Sequence, residues 1–326
     1  MAMKTWLVVL AVAVIVSGVA MADYASDMNV AIQSLPVSPD LAGMGGLNIC
    51  IPTTVGVNAA QNGLIIESNF AGSVYGESYW IDFKKGPRLR INAGNVSVRL
   101  GPGSLKLNYY QVTSTSTGSR SIVYPGEFEA ESVEISYGLK LTDRLAVGAS
   151  VFPLSTSKVS SSLGPFTIGE GEGKSQGAGS LGVFYRLTKK INLAGTWNIA
   201  SEQDTEKQLW FAATKSTMLT NSFRGGVSVQ PWKGGTFGAE ILHMRIDRPG
   251  QTDSATKLFY GAEQYFSKHF CVRAGCLNER LTAGIGIVLG KKDNIWIDAA
   301  YLDRPVAMEK YWGESRAWML SLCVAW

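Results

Sequence analysis

Apolar residues at every second position are the feature that most constrains this chain of 326 residues. Leu145 and Val147 alternate with small residues, and Ile285 and Ile287 repeat the pattern later in the chain. A period of two is that of a β-strand whose two faces meet different surroundings. One face is mostly aliphatic, and the other carries Gly, Ser, Asn and scattered charges. The pattern therefore predicts an all-β protein.

Short turns separate these alternating segments. If the apolar residues stay on one face across each turn, three-residue loops are predicted at 142–144, 188–190, 267–269, 232–234 and 291–293. Longer polar connections are predicted around 117–126, 159–175, 204–215, 248–254 and 304–314. About 14 strands result, an even number with short and long connections on opposite sides, as in bacterial outer-membrane barrels.

The bilayer explains why such a sheet closes. Hydrocarbon offers no partner for backbone N–H and C=O groups, so a spanning sheet cannot have a free edge. A tilted strand needs about 9 to 11 residues to cross, and most segments have that length. The alternative is a soluble β-sandwich with one hydrated face, which would need shorter strands and denser turns. We predict a closed antiparallel transmembrane β-barrel of about 14 strands, in the bacterial outer membrane and in contact with its lipid.

The two ends of the sequence carry their own signals. Residues 1–22 combine Lys4, an apolar run and Ala20-Met21-Ala22, which is the layout of a secretory signal peptide. The alternative is an uncleaved helical anchor, but the run is shorter than the roughly 20 residues of a membrane span. The last strand places Trp318, Leu320, Leu322, Val324 and Trp326 at alternate positions. Many outer-membrane barrels end in this way, which implies recognition by the barrel-insertion machinery.

Few residues offer chemistry. The chain has two histidines and four cysteines, and these have no metal-ligand spacing. The G-x-G-x-x-G pattern at 177–182 precedes no helix, and 169–175 is predicted to be a flexible outer loop. The net charge of +4 is too small to indicate nucleic acid. We expect no cofactor, no metal and no enzymatic activity; a hydrolase using His243 is the minor alternative.

Charged residues with inward parity are predicted to line the lumen. When the strands on either side of a turn centred on Lys268 are paired, Glu263 lies opposite Arg273. Asp298 is predicted to point to the same, inward face of the sheet. Further inward charges are Glu240, Arg224, Arg186, Glu134, Arg99 and Lys106. Charges removed from water must be paired, so mixed signs favour an ion-pair network over a wide pore of one sign. The ion pairs either serve only to neutralise the charges buried in the barrel interior or line a path for a solute.

Two stretches resemble the family of FadL-type hydrophobic-compound channels and the related PorV/PorQ proteins of type IX secretion. The first contains Met44-Gly45-Gly46 and Asn58-Ala59-Ala60. The second is similar to the family's C-terminal pattern and comprises 261–265, 272–275, 281–286 and 298–301.

This resemblance implies a plug inside the barrel. Residues 23–75, with little alternation and several prolines, would fold into the lumen, with Met44, Gly45, Gly46 and Asn58 as the plug motif, and 76–326 would form the barrel. Cys271 and Cys276 point to opposite faces of one predicted strand, so they are not expected to bond to each other. Cys50 could meet Cys271 inside the lumen, and a disulfide between these two residues is an open alternative. The implied function is a passive channel for hydrophobic small molecules. The alternative is a secretion-associated scaffold that binds exported proteins at its outer loops.

Overall fold

The chain is a closed cylinder of strands around a short inner segment. The computed structural model describes residues 39–44, 46–47, 49–51, 58–62, 72–84, 88–115, 127–163, 166–208, 211–277, 279–290, 294–304 and 314–326. The predicted signal peptide, Gly45 of the predicted plug motif, and the predicted connections 117–126 and 291–293 lie outside these residues. Within the described part of the chain, no helix is long and apolar enough to cross a membrane.

One short α-helix and a 3-10 turn at 59–62 precede fourteen strands in the described residues. The helix is α1 (Pro39–Gly43). The strands are β1 (Gly72–Phe83), β2 (Arg88–Leu100), β3 (Gly103–Thr115), β4 (Glu127–Lys140), β5 (Leu145–Leu163), β6 (Phe166–Arg186), β7 (Ile191–Gln208), β8 (Phe211–Val229), β9 (Gly235–Arg248), β10 (Gln251–Ser267), β11 (Phe270–Leu277), β12 (Arg280–Leu289), β13 (Ile295–Asp303) and β14 (Ser315–Ala325).

The first and last strands close the sheet. Each strand pairs with its neighbours in sequence, and β1 pairs with β14 in antiparallel fashion from Ser73↔Ala325 to Phe83↔Ser315. At the seam, the Trp326 amide donates to the Gly72 carbonyl at 3.0 Å, and the Gly72 amide donates back at 3.3 Å. The predicted closed antiparallel barrel of about 14 strands is confirmed.

Alternating burial along β14 shows how the two faces differ. Trp318 and Leu320 are half-exposed on the outside, whereas Ala317 and Met319 between them are buried inside. An apolar outer surface is suited to contact with the hydrocarbon of a lipid bilayer. Among the outward aromatic residues, the rings of Tyr301 and Trp318 lie 4.8 Å apart.

The two open ends of the barrel differ in their connections. We name the end that carries Gly72 and Trp326 the terminal rim; it also carries the turns 101–102, 142–144, 187–190, 230–234 and 268–269. The opposite end is the distal rim. The predicted turns at 142–144 and 188–190 form, with hydrogen bonds from the Leu141 amide to the Leu145 carbonyl (2.9 Å) and from the Thr188 amide to the Ile191 carbonyl (3.2 Å).

One predicted terminal-rim turn is wrong by a residue. Ser267 pairs with Phe270 and a register shift lies between Tyr265 and Ser267, so the turn contains only Lys268 and His269. A β-bulge adds one residue to one strand, so the turn shortens while the apolar residues keep their face.

The predicted long connections 159–175 and 204–215 are also wrong. β5 runs to Leu163 and β6 starts at Phe166, so the expected flexible loop 169–175 lies in a strand; β7 and β8 likewise extend to Gln208 and from Phe211. Beyond hydrocarbon both faces of a sheet meet water, so the ladder continues without apolar alternation. In addition, β1 begins at Gly72 where 76 was expected, and β10 begins at Gln251, which shortens the predicted connection 248–254.

Candidate luminal channel

The described part of residues 39–62 lies inside the barrel. Leu41, Ala42 and Leu47 are fully buried, and Met44 of the predicted motif is 1% exposed. Their neighbours are inward-facing residues of strands on several sides of the cylinder. We call residues 39–44, 46–47, 49–51 and 58–62 the luminal segment.

Two buried charges on β8 and β9 hold the luminal segment. The Glu240 carboxylate accepts hydrogen bonds from the amides of Ile49 (2.7 Å) and Cys50 (2.8 Å), and its other oxygen accepts from Arg224 Nε at 2.6 Å. The Arg224 guanidinium also donates to the carbonyl of Gly46. These bonds satisfy both charges without water, as burial requires.

The same wall contributes a hydroxyl and an aromatic ring. Ser228 Oγ donates to the Cys50 carbonyl at 2.8 Å. The Arg224 guanidinium carbon lies 4.1 Å from the centre of the Phe259 ring, within the range of a cation–π contact. Gly46 has φ +79°, a conformation that glycine adopts at no steric cost, so this motif position needs glycine.

A second contact places the end of α1 against β10 and β12. Thr282 Oγ1 donates to the Gly43 carbonyl at 3.1 Å. At Gly261 an added Cβ would lie 2.2 Å from the Met44 carbonyl oxygen, so the backbone of the luminal segment touches the wall there. Glycine at this position permits that approach.

A third contact joins residues 58–62 to β3–β6. Asn58 of the predicted motif is fully buried; its Nδ2 donates to the Val183 carbonyl at 3.0 Å and its Oδ1 accepts from the Ala60 amide. Asn62 Nδ2 donates to Ser136 Oγ at 2.9 Å, and Ser104 Oγ donates to the Asn62 carbonyl. The luminal segment thus touches opposite walls of the barrel.

Arg273 on β11 lies between a carboxylate on the adjacent β10 and a carboxylate on β13, two strands away. Its Nε donates to Glu263 Oε2 at 2.7 Å, and its Nη1 donates to Asp298 Oδ1 at 2.6 Å. The Arg273 side chain is 5% exposed and both acids are mostly buried. The register pairs Glu263 with Arg273, so the three candidate residues form one ion-pair triad on the luminal face.

The distal half of the lumen is mainly apolar, whereas polar residues dominate the terminal half. One buried apolar cluster joins α1 and the luminal segment to inward residues on the distal halves of the strands. Its wall members include Ile81, Leu89, Ile91, Val112, Phe128, Leu242, Phe259, Leu302 and Met319. A smaller cluster continues it on β8 and β9, formed by Met218, Met244 and Ile246. The interior therefore offers an apolar layer next to the luminal segment.

A cavity of about 530 Å³ opens near the distal ends of β3–β7. Phe128, a member of the apolar cluster, forms part of its wall. Other wall residues are polar or charged, namely Thr113, Ser114, Glu129, Lys158, Ser160, Glu170, Glu172 and Thr205. The Phe128 ring thus belongs both to this polar cavity and to the apolar cluster of the interior.

The remaining reactive residues lie apart from one another. His243 is on the exterior, where its Nδ1 lies 3.0 Å from Thr256 Oγ1. The four cysteines, all described, form no disulfide, so the Cys50–Cys271 pair considered from the sequence does not form. Cys50 instead lies beside Glu240, and burial together with that carboxylate raises the pKa of its thiol.

Sequence reasoning missed the partners of Arg224 and Glu240. Their inward parity is visible in the sequence, but the backbone groups that they bind are about 180 to 190 residues away. Ser228 and Thr282 were missed for the same reason. Nothing in the sequence around a serine or threonine on a β-strand indicates which distant backbone group its hydroxyl will bind.

Several solved structures share this fold. The Ralstonia pickettii toluene transporter TbuX matches with a TM-score of 0.62 and 14% identity, covering 90% of this chain and 100% of its own. The P. putida toluene transporter TodX matches with a TM-score of 0.60 and 11% identity, covering 89% and 99%. A Pseudomonas aeruginosa FadL homologue matches with a TM-score of 0.56 and 12% identity, covering 89% and 98%. The predicted likeness to FadL-type barrels is thereby confirmed at the level of the fold.

No family model matches the chain, and no curated protein matches it.

Proposed function

We propose that this protein is a bacterial outer-membrane channel for the passive passage of hydrophobic small molecules. The observation that carries the proposal is the apolar layer in the distal half of a lumen whose other half is polar. A barrel for ions or sugars gains nothing from such a layer, whereas an apolar solute gains the free energy of leaving water there. No catalysis is involved.

The solved structures that share the fold support this substrate class. Two of those described above are named as toluene transporters. Ligand sites are typically concave and largely apolar with a few polar groups, and the layer around Leu242, Phe259 and Leu302 has that character. An aromatic hydrocarbon or a molecule of similar polarity is the solute class that fits.

The luminal segment is the central part of the proposed plug. We propose that the plug, predicted over residues 23–75, ends where β1 begins at Gly72 and has Met44, Gly45, Gly46 and Asn58 as its motif. Glu240, Arg224 and Thr282 fix it to the wall, and the triad of Glu263, Arg273 and Asp298 keeps β10, β11 and β13 in register beside it. In this proposal the charges support the channel and the apolar residues form the path.

The exterior and the last strand support the proposed location. An apolar outer face needs lipid around it, and the outward Trp318 and Leu320 of β14, with Trp326 directly after it, suit recognition by the barrel-insertion machinery. Outer-membrane barrels have short turns on the periplasmic side and longer extensions on the outer side. The strands of the β5–β6 and β7–β8 hairpins have 18 to 21 residues and extend at the distal rim, so we assign the terminal rim to the periplasm. The alternative of a scaffold for exported proteins gains support from no feature of the described residues.

Uptake of labelled toluene tests the proposal. Cells that express the protein in the outer membrane should accumulate toluene faster than cells without it. Leu302→Asn, which places an amide in the apolar layer, should reduce the rate, while Leu302→Met, which keeps the site apolar, should not. Equal uptake with and without the protein, or equal rates for both variants, would overturn the proposal.

A further inference from the structure

The turns of the terminal rim carry an excess of positive charge. The described turn residues include five cations, Arg144, Lys189, Lys190, Lys233 and Lys268, all of them exposed. The same turns contain one acid, Asp143, whose carboxylate is already bonded to Lys140 Nζ at 2.9 Å. Lys190 Nζ donates to the Pro231 carbonyl at 3.3 Å, and we call the other four cations, Arg144, Lys189, Lys233 and Lys268, the cationic arc.

The distal rim has a different character. Several of its described charges form pairs of opposite sign, as in Arg245 with Asp247 at 3.0 Å and Lys174 with Glu172 at 3.3 Å. The small net charge of the whole chain, +4, therefore hides an uneven distribution between the two ends. Among the described residues, the excess of one sign lies in the turns of the terminal rim.

Backbone hydrogen bonds make the arc one continuous surface. The Arg186 amide donates to the Arg144 carbonyl at 2.7 Å, the Gln230 amide to the Lys190 carbonyl at 2.8 Å, and the Tyr265 amide to the Gly234 carbonyl at 2.8 Å. Successive turns are two strands apart, which is about 10 Å. The four cations therefore follow one another along the rim.

Exposed apolar side chains accompany each cation. Leu141, Leu187, Trp232 and Phe266 precede the arc residues by one to three positions and are 52%, 45%, 53% and 71% exposed, respectively. Aromatic residues of this kind mark the boundary between hydrocarbon and headgroups. A cation up to three residues further on lies within about 10 Å of that boundary, and its flexible stem lets the charge reach the headgroup level.

We infer that the cationic arc binds the anionic headgroups of phospholipids in the leaflet that surrounds the terminal rim. Apolar residues that enter the hydrocarbon and cations at the headgroup level together fit a lipid. An acidic soluble protein would need the cations but not the exposed leucine and phenylalanine side chains beside them. Lys and Arg near an anionic membrane surface each favour the bound state by about fivefold, which corresponds to ~1 kcal/mol.

Trp232, next to Lys233, provides a local probe. The protein is reconstituted into phosphatidylcholine vesicles that contain either brominated phosphatidylglycerol or brominated phosphatidylcholine as a minor component. Bromine quenches tryptophan fluorescence at short range, and the signal of Trp232 is obtained as the difference between the protein and its Trp232→Phe variant. We expect stronger quenching by the anionic lipid, with the difference reduced at high salt.

Matched charge-neutral variants test the assignment to the arc. Changing Arg144, Lys189, Lys233 and Lys268 to Gln should remove the preference for the anionic lipid. Changing the same number of exposed distal-rim cations, Lys84, Lys158, Lys174 and Lys215, to Gln should leave it. The heat-dependent gel mobility of each variant reports whether the barrel is folded, and Lys189→Gln with Lys233→Gln replaces the fourfold variant if that one does not fold.

Three outcomes would overturn the inference. They are equal quenching by both lipids, an unchanged preference in the arc variant, and an equal loss in the distal-rim variant. The first of these would assign the arc to an acidic partner in solution, and the third would assign the preference to overall charge. All three are independent of whether the channel transports toluene.

Discussion

The contact between Glu240 and the luminal segment permits a sharp test of what holds that segment in place. Glu240→Gln keeps the shape of the side chain and one carbonyl oxygen for the amides of Ile49 and Cys50. It removes the charge that faces Arg224 and places an N–H group where a carboxylate oxygen accepts from the guanidinium. The substitution therefore breaks the ion pair with little change in volume.

The expected loss follows from burial. The side chains of Arg224 and Glu240 are 6% and 0% exposed, so the guanidinium cannot gain water when its partner is neutral. Removing one partner of a buried ion pair costs about 3 to 5 kcal/mol. The weakening of the two amide hydrogen bonds to this carboxylate, at about 1 kcal/mol each, is included in that range. We expect the free energy of unfolding to fall by roughly 3 to 5 kcal/mol.

Cys50 reports the position of the luminal segment directly. Its thiol is fully buried, and burial with the Glu240 charge raises its pKa, so the reactive thiolate is scarce. In a background where Cys271, Cys276 and Cys323 are serine, a polyethylene-glycol maleimide should label Cys50 slowly. Glu240→Gln should speed the labelling, because the bulky reagent needs physical access as well as a thiolate.

A matched control separates this contact from a general effect of losing a buried carboxylate. Glu134 is also buried and has inward parity, and it accepts from Asn108 Nδ2 at 2.8 Å instead of from Arg224. Glu134→Gln should leave Cys50 labelling slow. Unchanged labelling and an unchanged unfolding midpoint in Glu240→Gln would show that the carboxylate does not hold the luminal segment.

Three further perturbations test other contacts. Arg273→Ala leaves two mostly buried carboxylates without their cation and should lower the free energy of unfolding by about 3 to 5 kcal/mol in urea titrations, whereas Arg273→Lys should recover part of it. Gly148→Val places a Cβ 2.3 Å from a backbone carbon of the luminal segment and should cost about 1 to 3 kcal/mol, while Gly76→Val, with open space around it, should cost much less. The hydrogen bond and charge of Lys140 lower the pKa of Asp143. This stabilisation is present above the usual carboxyl pKa and is lost as the pH falls through the lowered value, so the unfolding midpoint of Asp143→Asn should lack that acid-side dependence.

Alternation was enough to predict the barrel, because each strand faces lipid on one side and the lumen on the other. The stretch from Ala317 in β14 to Trp326 directly after that strand shows this most clearly, since every outward position in it is apolar and large. The turns at 142–144 and 188–190 followed from keeping the apolar set on one face. The structure pairs Glu263 with Arg273, as the predicted register did, although the turn beside them is one residue shorter than expected.

Sequence reasoning failed where the physical constraint changes. The distal halves of β5–β8 leave the hydrocarbon, so Ser, Gly, Glu and Lys on both faces conceal a regular ladder such as Lys158↔Glu172. The luminal segment was harder still, because its partners are single carbonyls and amides held by distant side chains. No periodicity relates Ile49 to Glu240.

The luminal segment ties together walls that lie on opposite sides of the cylinder. Residues 58–62 bond to β3, β4 and β6, while Gly46, Ile49 and Cys50 bond to β8 and β9. Such an internal brace resists flattening of the circular cross-section, which the strand ladder alone permits. Substitutions at Ser104 and at Ser228, on strands that do not touch, should therefore be energetically coupled, because each one loosens an end of the same brace.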